Sequence, residues 1–284
     1  MISVIIPAYN EEGYIGETLE LILRSERPGD GANGLPPEVI VVANGCRDNT
    51  VAEAEALAPA FAARGWGFRV LDLEKGSKTG AMNAGSAAAR HGALLFVDAD
   101  IHVTPGLIAA LGRVLDRETP CYASGRPRIR RAETWVSRQY ARFWQRLPFM
   151  AKSVAGCGVY GVNGAGRARW EEIPEVISDD IFVRSHFTAP EMVAVPETYS
   201  WPIAEGLARL VRVRRRQNEG LEELFGRYPE LQANRGRTAP TGLRKLALLV
   251  CDPLGFAVYA GVALAVRTPL FANRSRWERG RDTA

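Results

Sequence analysis

Between residues 3 and 97, short apolar runs alternate with stretches of helical period. Ser3 to Pro7 is rich in β-branched residues and closed by a proline, the pattern of a buried strand. From Glu11 to Leu23 the apolar positions Tyr14, Ile15, Leu19, Ile22 and Leu23 recur at helical spacing, and Asn10 stands where it can cap that helix. Residues 28–37 are rich in Gly and Pro and read as a loop. Glu38 to Ala43 predicts a second buried strand, closed by Asn44-Gly45, and an Ala-rich helix follows to about Ala63. Phe68 to Leu73 predicts a third strand, Lys75 to Gly80 a basic, Gly-rich turn, and Ala81 to Arg90 a helix of small residues. Ala93 to Val97 predicts a fourth strand that ends at Asp98. Strands alternating with helices at this spacing imply right-handed crossovers and a mostly parallel sheet, hence an α/β fold.

In such a sheet, ligands bind beyond the carboxyl ends of the strands. The polar residues just past the predicted ends are Asn10 and Glu11, Asn44 and Asp48, Lys75 and Lys78, and Asp98 and Asp100. Carboxylates hold a hard cation and lysines offset phosphate charge, so this edge suits a phosphorylated ligand with a divalent cation. The sharpest signal is Asp98-Ala99-Asp100 directly after Leu94-Leu95-Phe96-Val97. Two acids flanking a small residue at a strand end can bind Mg2+ or Mn2+ directly or through water. Asp is also a common residue of strand-to-turn junctions.

Composition narrows the classes. With 284 residues the chain is long enough for one large α/β domain or two small ones. At 46% hydrophobic and 24% charged residues it is globular, which excludes disorder, collagen and a coiled coil. A net charge of +4, from 36 Lys+Arg against 32 Asp+Glu, gives no reason to expect a nucleic-acid partner. Cys46, Cys121, Cys157 and Cys251 are far apart and show neither a zinc spacing nor a disulfide framework. The start of the chain has no basic, signal-like region, so the catalytic part is expected in the cytoplasm.

Three motifs together carry a resemblance. Val4-Ile5-Ile6-Pro7-Ala8-Tyr9-Asn10-Glu11-Glu12 resembles the opening of inverting family-2 glycosyltransferases. Val41 to Thr50 resembles their second-strand nucleoside loop, and Lys78-Thr79-Gly80-Ala81-Met82-Asn83-Ala84-Gly85 followed by Asp98-Ala99-Asp100 has their order and spacing. Over about residues 1–220 the resemblance implies a GT-A fold, a Rossmann-like, mostly parallel sheet with flanking helices, and transfer of a sugar from a nucleotide donor. It implies donor contacts from Pro7, Tyr9, Asn10, Glu11, Asn44, Lys78 and Asp98, with Mg2+ or Mn2+ on Asp98 and Asp100. Many family members carry Asp where this chain has Asn44, so UDP is the default nucleotide and GDP the competitor. Asp48 reads as a nucleotide contact or as a turn residue.

Residues 156–166, Gly-Cys-Gly-Val-Tyr-Gly-Val-Asn-Gly-Ala-Gly, hold five glycines. By resemblance this stretch lines the donor-sugar and acceptor site, with Asn163 and Gly164 among its contacts. A flexible loop would have the same composition. Family members place a Glu-Asp or Asp-Asp pair after it, matched here by Ser178-Asp179-Asp180, and the second carboxylate serves as the catalytic base. Asp180 is therefore the expected base, with Asp179 raising its pKa by like charge. An acidic first turn of a helix would also account for the pair. The cluster Arg209, Arg212, Arg214, Arg215 and Arg216 approximates a Gln-x-x-Arg-Trp signature but lacks its Trp. Arg216 is the candidate sugar contact, and Arg214 to Arg216 read as a diphosphate clamp or as a surface helix attracted to anionic lipid.

Leu246 to Val266 is apolar except for Asp252, with Pro253 beside it and Arg244, Lys245, Arg267, Arg274 and Arg276 at the flanks. A span needs about 20 apolar residues, a mid-membrane Asp is costly and Pro kinks a helix. A membrane-surface or hydrophobic docking segment is favoured over a span, and residues 273–284 are expected to fray. The expected organisation is a catalytic domain over 1–220 and a C-terminal helical segment over 221–284. The expected function is metal-dependent inverting transfer from a UDP- or GDP-sugar to the hydroxyl of a sugar or lipid-linked acceptor. A nucleotidyltransferase and an inactive nucleotide-sugar-binding module are the alternatives. The neutral-to-acidic run Pro7 to Glu12 counts against the first, and the retained acids count against the second.

Overall fold

The computed structural model describes residues 1–29, 34–152, 154–235, 242–269 and 271. In chain order the elements begin β1 (Ile2–Ala8), α1 (Ile15–Arg24), β2 (Glu38–Asn44), α2 (Thr50–Glu55), α3 (Ala58–Ala63), β3 (Gly67–Leu73), α4 (Lys78–Ala88) and β4 (Ala93–Val97). They continue with β5 (His102–Val103), α5 (Leu107–Leu115), β6 (Tyr122–Ile129), α6 (Trp135–Trp144), α7 (Pro148–Lys152), β7 (Val159–Val162), α8 (Gly164–Arg167) and α9 (Asp179–Arg184). β8 (Met192–Trp201), α10 (Leu207–Arg227), α11 (Gly242–Cys251) and α12 (Pro253–Ala265) complete them.

The strands form one sheet in the order β3-β2-β1-β4-β7-β6-β8-β5. β3, β2, β1 and β4 are parallel, β7 runs antiparallel to β4 and to β6, and β6 and β8 are again parallel. Every residue of β1, β2 and β4 is buried, because helices cover both faces of the sheet. Alternate residues serve opposite cores. Val4 and Ile6 belong to one core with Leu19 of α1 and Leu111 of α5, while Ile5 belongs to the other with Met82 of α4 and Phe182 of α9. Gly85 lets α4 lie tight on the sheet, since a Cβ there would come within 2.5 Å of Ile5.

Three local expectations change. Asn10 does not cap α1, whose N-cap is Tyr14; Asn10 instead turns the chain at φ 49 and accepts a 2.8 Å bond from the Arg47 amide. The Ala-rich helix is two short helices, because the chain breaks at Ala56-Leu57 and restarts with Pro at the first turn of α3. The apolar C-terminal run is likewise two helices. Asp252 separates them, accepts the Gly255 amide at 3.0 Å as the N-cap of α12, and leaves Pro253 at the first turn, where proline costs no hydrogen bond.

Asp252 is buried at 3% exposure and is not lipid-facing. Arg142 Nε donates to its Oδ2 at 3.0 Å, a second Arg142 nitrogen donates to Oδ1, and Arg146 Nη1 reaches Oδ2 at 3.3 Å. Beside this tie α12 packs its aromatic side chains on α6, with Phe143 and Tyr259 ring centroids 5.1 Å apart and Phe143 and Phe256 5.8 Å apart. α12 is therefore docked on the body of the protein. Among the described residues, no helix is long and apolar enough to cross a membrane. Arg274, Arg276 and residues 273–284 lie outside the described residues, as do the side chains of Arg244 and Lys245.

Candidate active site

The site forms where β4, α4, α9 and the start of β7 meet. The Asp98 amide donates to the Gly158 carbonyl at 2.9 Å, which fixes the carboxylate at the end of β4. Gly158 has φ +73, and a Cβ there would lie 2.8 Å from Ile101 and 3.4 Å from Asp98 Oδ2. Only glycine lets the chain pass so close to that carboxylate. Ser77 caps α4 by accepting the Gly80 amide at 3.1 Å, and this aims Lys78 across the strand end. α9 opens with Asp179 and Asp180 in its first turn.

Lys78 Nζ bridges these elements, 3.1 Å from Asp98 Oδ1 and 3.3 Å from Asp179 Oδ2. Burial alone would lower the ammonium pKa, but Asp179, then Asp98 and Asp180, hold it well above the usual lysine range. Asp179 is 4% exposed, and its burial pushes its carboxyl up against the pull of Lys78. Asp180 is half-buried; burial first and the Asp179 charge second push it up to about 6. Three carboxylates thus share one ammonium, and a proton or a cation relieves the excess.

Pro7, Lys78, Asp98, Asp179, Asp180 and Arg216 all line a single cavity of about 730 Å3. Tyr9, Asn10, Glu11 and Asn44 stand at the ends of β1 and β2 and are not part of its lining. Tyr9 is 45% exposed, whereas Asn44 is buried with its Nδ2 donating to the Ala8 carbonyl at 2.7 Å, so its amide braces β1 against β2. Asp48 takes the turn role, accepting from the Thr50 hydroxyl and amide and from the Glu12 amide. Asp100 sits on the turn after β4 and is not part of the cavity lining; its carbonyl accepts from Arg130 at 2.6 Å.

The structure does not bring Asn163 and Gly164 to the cavity. β7 pairs antiparallel with β4, Val159 opposite Val97 and Val162 opposite Leu94, so Asn163 emerges at the sheet edge opposite Asp98. There it is 2% exposed, caps α8 through the Gly166 amide, accepts the Cys121 amide and donates to the Arg117 and Thr119 carbonyls. It has no capacity left for a sugar. The site half of the glycine-rich run is Cys157-Gly158. Trp144 and Trp201 also line the cavity, and the motifs gave no sign of them.

Among the described residues, no three or more His, Cys, Asp or Glu side chains are grouped so as to hold a metal ion by themselves. Asp98 offers one carboxylate at the cavity, within the one or two with which Mg2+ is usually bound when phosphate oxygens and water complete its shell, and Asp100 stands two residues on, outside the lining. The acid excess around Lys78 is of the sign that a divalent cation offsets. The donor set therefore fits Mg2+ or Mn2+ in company with a diphosphate.

A family model described as glycosyl transferase family 2 matches residues 3–170, more than half of the chain. The chain belongs to glycosyl transferase family 2. The matched range holds Lys78, Asp98 and Asp100 and ends before Asp179. A dolichyl-phosphate beta-glucosyltransferase of Drosophila melanogaster is 41% identical over 101 residues, 35% of this chain and 30% of that protein, so the match spans less than a third of the relative. The mannosyltransferase PcManGT from Pyrobaculum calidifontis, solved with GDP-Man and Mn2+, superposes with a TM-score of 0.58 at 18% identity, covering 94% of this chain and 75% of that one. Glucosyl-3-phosphoglycerate synthase from Mycobacterium tuberculosis, solved with Mn2+, UDP and glucosyl-3-phosphoglycerate, gives 0.55 at 20% identity, covering 80% of each chain. S. aureus TarS 1-349 with UDP-GlcNAc gives 0.52 at 17% identity, covering 94% and 91%. These likenesses establish the GT-A fold for this family-2 protein.

Proposed function

We propose that this family-2 protein transfers a glycosyl group, with inversion, from a nucleotide-sugar to an acceptor hydroxyl. The observation that carries the reading is Lys78 held between Asp98 and Asp179 at one cavity wall with Asp180 beside it. In the reaction the acceptor oxygen bonds to the anomeric carbon as the bond to the leaving diphosphate oxygen breaks, and Asp180 takes the hydroxyl proton. A carboxylate with a pKa of about 6 is ionised at neutral pH and still basic enough to accept that proton. Lys78 offsets negative charge at the donor diphosphate. Asp98 and Asp100 are the residues that would hold Mg2+ or Mn2+, which, when bound, neutralises the leaving diphosphate.

UDP- and GDP-sugars are the candidate donors, in keeping with the UDP-GlcNAc, UDP and GDP-Man complexes of the structural neighbours. The acceptor is a sugar or a lipid-linked hydroxyl, and no nucleic acid takes part. Exposed Leu249, Val250, Leu254 and Leu264 on α11 and α12 support peripheral contact with the cytoplasmic face of a membrane. Co-sedimentation with phosphatidylglycerol vesicles checks this: binding falls in Val250→Asp/Leu254→Asp, and a protein that stays in the supernatant refutes it.

A release assay tests the main reading. With UDP-glucose or GDP-mannose and Mn2+, the protein releases the nucleoside diphosphate, and Asp100→Ala or EDTA removes most of that turnover. Pyrophosphate from a nucleoside triphosphate and a sugar phosphate would mark a nucleotidyltransferase instead. Full turnover in EDTA would remove the metal from the account.

A further inference from the structure

Asp179 and Asp180 open a helix that does not place them by itself. α9 has six residues, and its N-cap Ser178 makes no side-chain capping bond. A helix that short holds its shape only where its surroundings hold it. The chain that leads into it, residues 168–178, is neither helix nor strand. The position of the acid pair is therefore set by what grips this strap. On one side α4 grips it: Asn83 Nδ2 donates to the Ile173 carbonyl at 2.9 Å, and the Ile173 amide donates back to Asn83 Oδ1 at 2.9 Å. One side-chain amide thus pairs with one backbone unit as a neighbouring strand would. Ile173 is itself buried in the core that holds Phe182 of α9. On the other side α10 grips it. Arg227 Nη1 donates to the Glu175 carbonyl at 3.1 Å, and Gly220 lies flush against Ile177 and Ser178. A Cβ at Gly220 would come within 2.5 Å of Ser178 Oγ and 2.8 Å of Ile177 Cγ2.

We infer that Asn83 is a positioning residue for the proposed reaction, setting the Asp179-Asp180 pair against Lys78. This inference rests on the glycosyl-transfer reading above. Lys78 and Asn83 stand on the same helix, α4, and the strap reaches Asp179 shortly after Ile173. α4 therefore fixes both ends of one contact. Its Lys78 meets Asp179 at 3.3 Å, and its Asn83 holds the chain that carries Asp179. Asn83 is not part of the cavity lining, so it acts through the strap and not on a ligand. A bond that only satisfied the Ile173 backbone would contribute stability alone. This one also decides where Asp180 stands, and a misplacement of about 1 Å in such a group can cost about 100-fold in rate.

The test is Asn83→Ala, which removes both bonds to Ile173. Titration with UDP or GDP gives the nucleotide affinity and counts the molecules that bind, and kcat with UDP-glucose or GDP-mannose is expressed per binding molecule. kcat should fall about tenfold or more while nucleotide affinity stays within about twofold, a split that a loss of folded protein does not give once kcat is counted this way. A second readout needs no turnover. The Asp180 carboxyl, held up at about 6 by burial and by Asp179, should titrate closer to the ordinary aspartate range in Asn83→Ala, read by carboxyl-carbon NMR of aspartate-labelled protein. Partial unfolding lowers the intensity of that resonance and leaves the pKa of the folded molecules where it was. A kcat within about threefold of wild type, or a nucleotide affinity that falls in step with kcat, overturns the inference. If Asn83→Ala does not fold, Asn83→Ser, also neutral and a little larger, carries the same two readouts. A wild-type protein that releases no nucleoside diphosphate sinks the transferase reading, whereas an Asp180 resonance unmoved by the substitution sinks this one.

Discussion

Asp180 and Asp252 are both acids set among apolar neighbours, and their surroundings drive them in opposite directions. At Asp252 two guanidinium groups and a helix-capping amide surround one carboxylate; burial would raise its pKa, but these bonds outweigh it and hold it below the usual range. At Asp180 the ratio is reversed, with three carboxylates around one ammonium, and burial and repulsion both push it up. Burial is common to the two sites, so it does not by itself mark function. The count of opposite charges does: the saturated site ties α12 to α6, and the unsaturated one keeps an acid able to take up a proton or face a cation.

The largest expected effect breaks the acidic side of this comparison. Asp180→Asn keeps the shape and removes the proposed base, so kcat should fall by about 100-fold or more, the scale of a lost general base, with donor affinity nearly unchanged. Folding stability should hold or rise, because a repelling charge is gone. If Asp179→Asn proves the more damaging to kcat, the two roles are exchanged. The next effect breaks the saturated side. Asp252→Ala should cost about 2 kcal/mol in urea denaturation. That is below the usual loss for a broken buried pair, because Arg142 and Arg146 are about half in water and keep part of their hydration. Turnover of the molecules that remain folded should stay near wild type. A variant as stable as the wild type but inactive would contradict the structural role.

How much of this was legible from the chain depends on who the partners are. β1, β2 and β4 read clearly because both of their faces are covered, which leaves unbroken apolar runs. β6 and β8 do not. Each carries an internal proline, Pro127 and Pro196, and two exposed positions, and their pairing shifts register between Ser124 and Arg126. Lys78, Asp98 and Asp180 were readable because they stand at a strand end or a helix start. The composition of residues 156–166 could not say that an antiparallel β7 would carry Gly158 to the site and Asn163 to the opposite edge. Asp252 looked like a misfit in an apolar run because its partner Arg142 lies 110 residues earlier.

The charge account also fixes the sign of the pH dependence. Asp180 has a folded pKa above its unfolded value of about 3.9, so its ionised form destabilises the fold, and stability from this group rises as pH falls from about 6 toward 4. The same protonation takes up the proposed base, so kcat should fall about tenfold per pH unit below about 6. Asp252, depressed, contributes stability above the unfolded value and loses it only as pH falls through its lower folded pKa. One measurement reads both sites: a carboxyl-carbon NMR titration of aspartate-labelled protein, with Asp180→Asn and Asp252→Asn for assignment. The account predicts one resonance titrating near pH 6 that disappears in Asp180→Asn, and one still ionised below the ordinary aspartate range that disappears in Asp252→Asn. Two resonances titrating together near the ordinary aspartate value would contradict it.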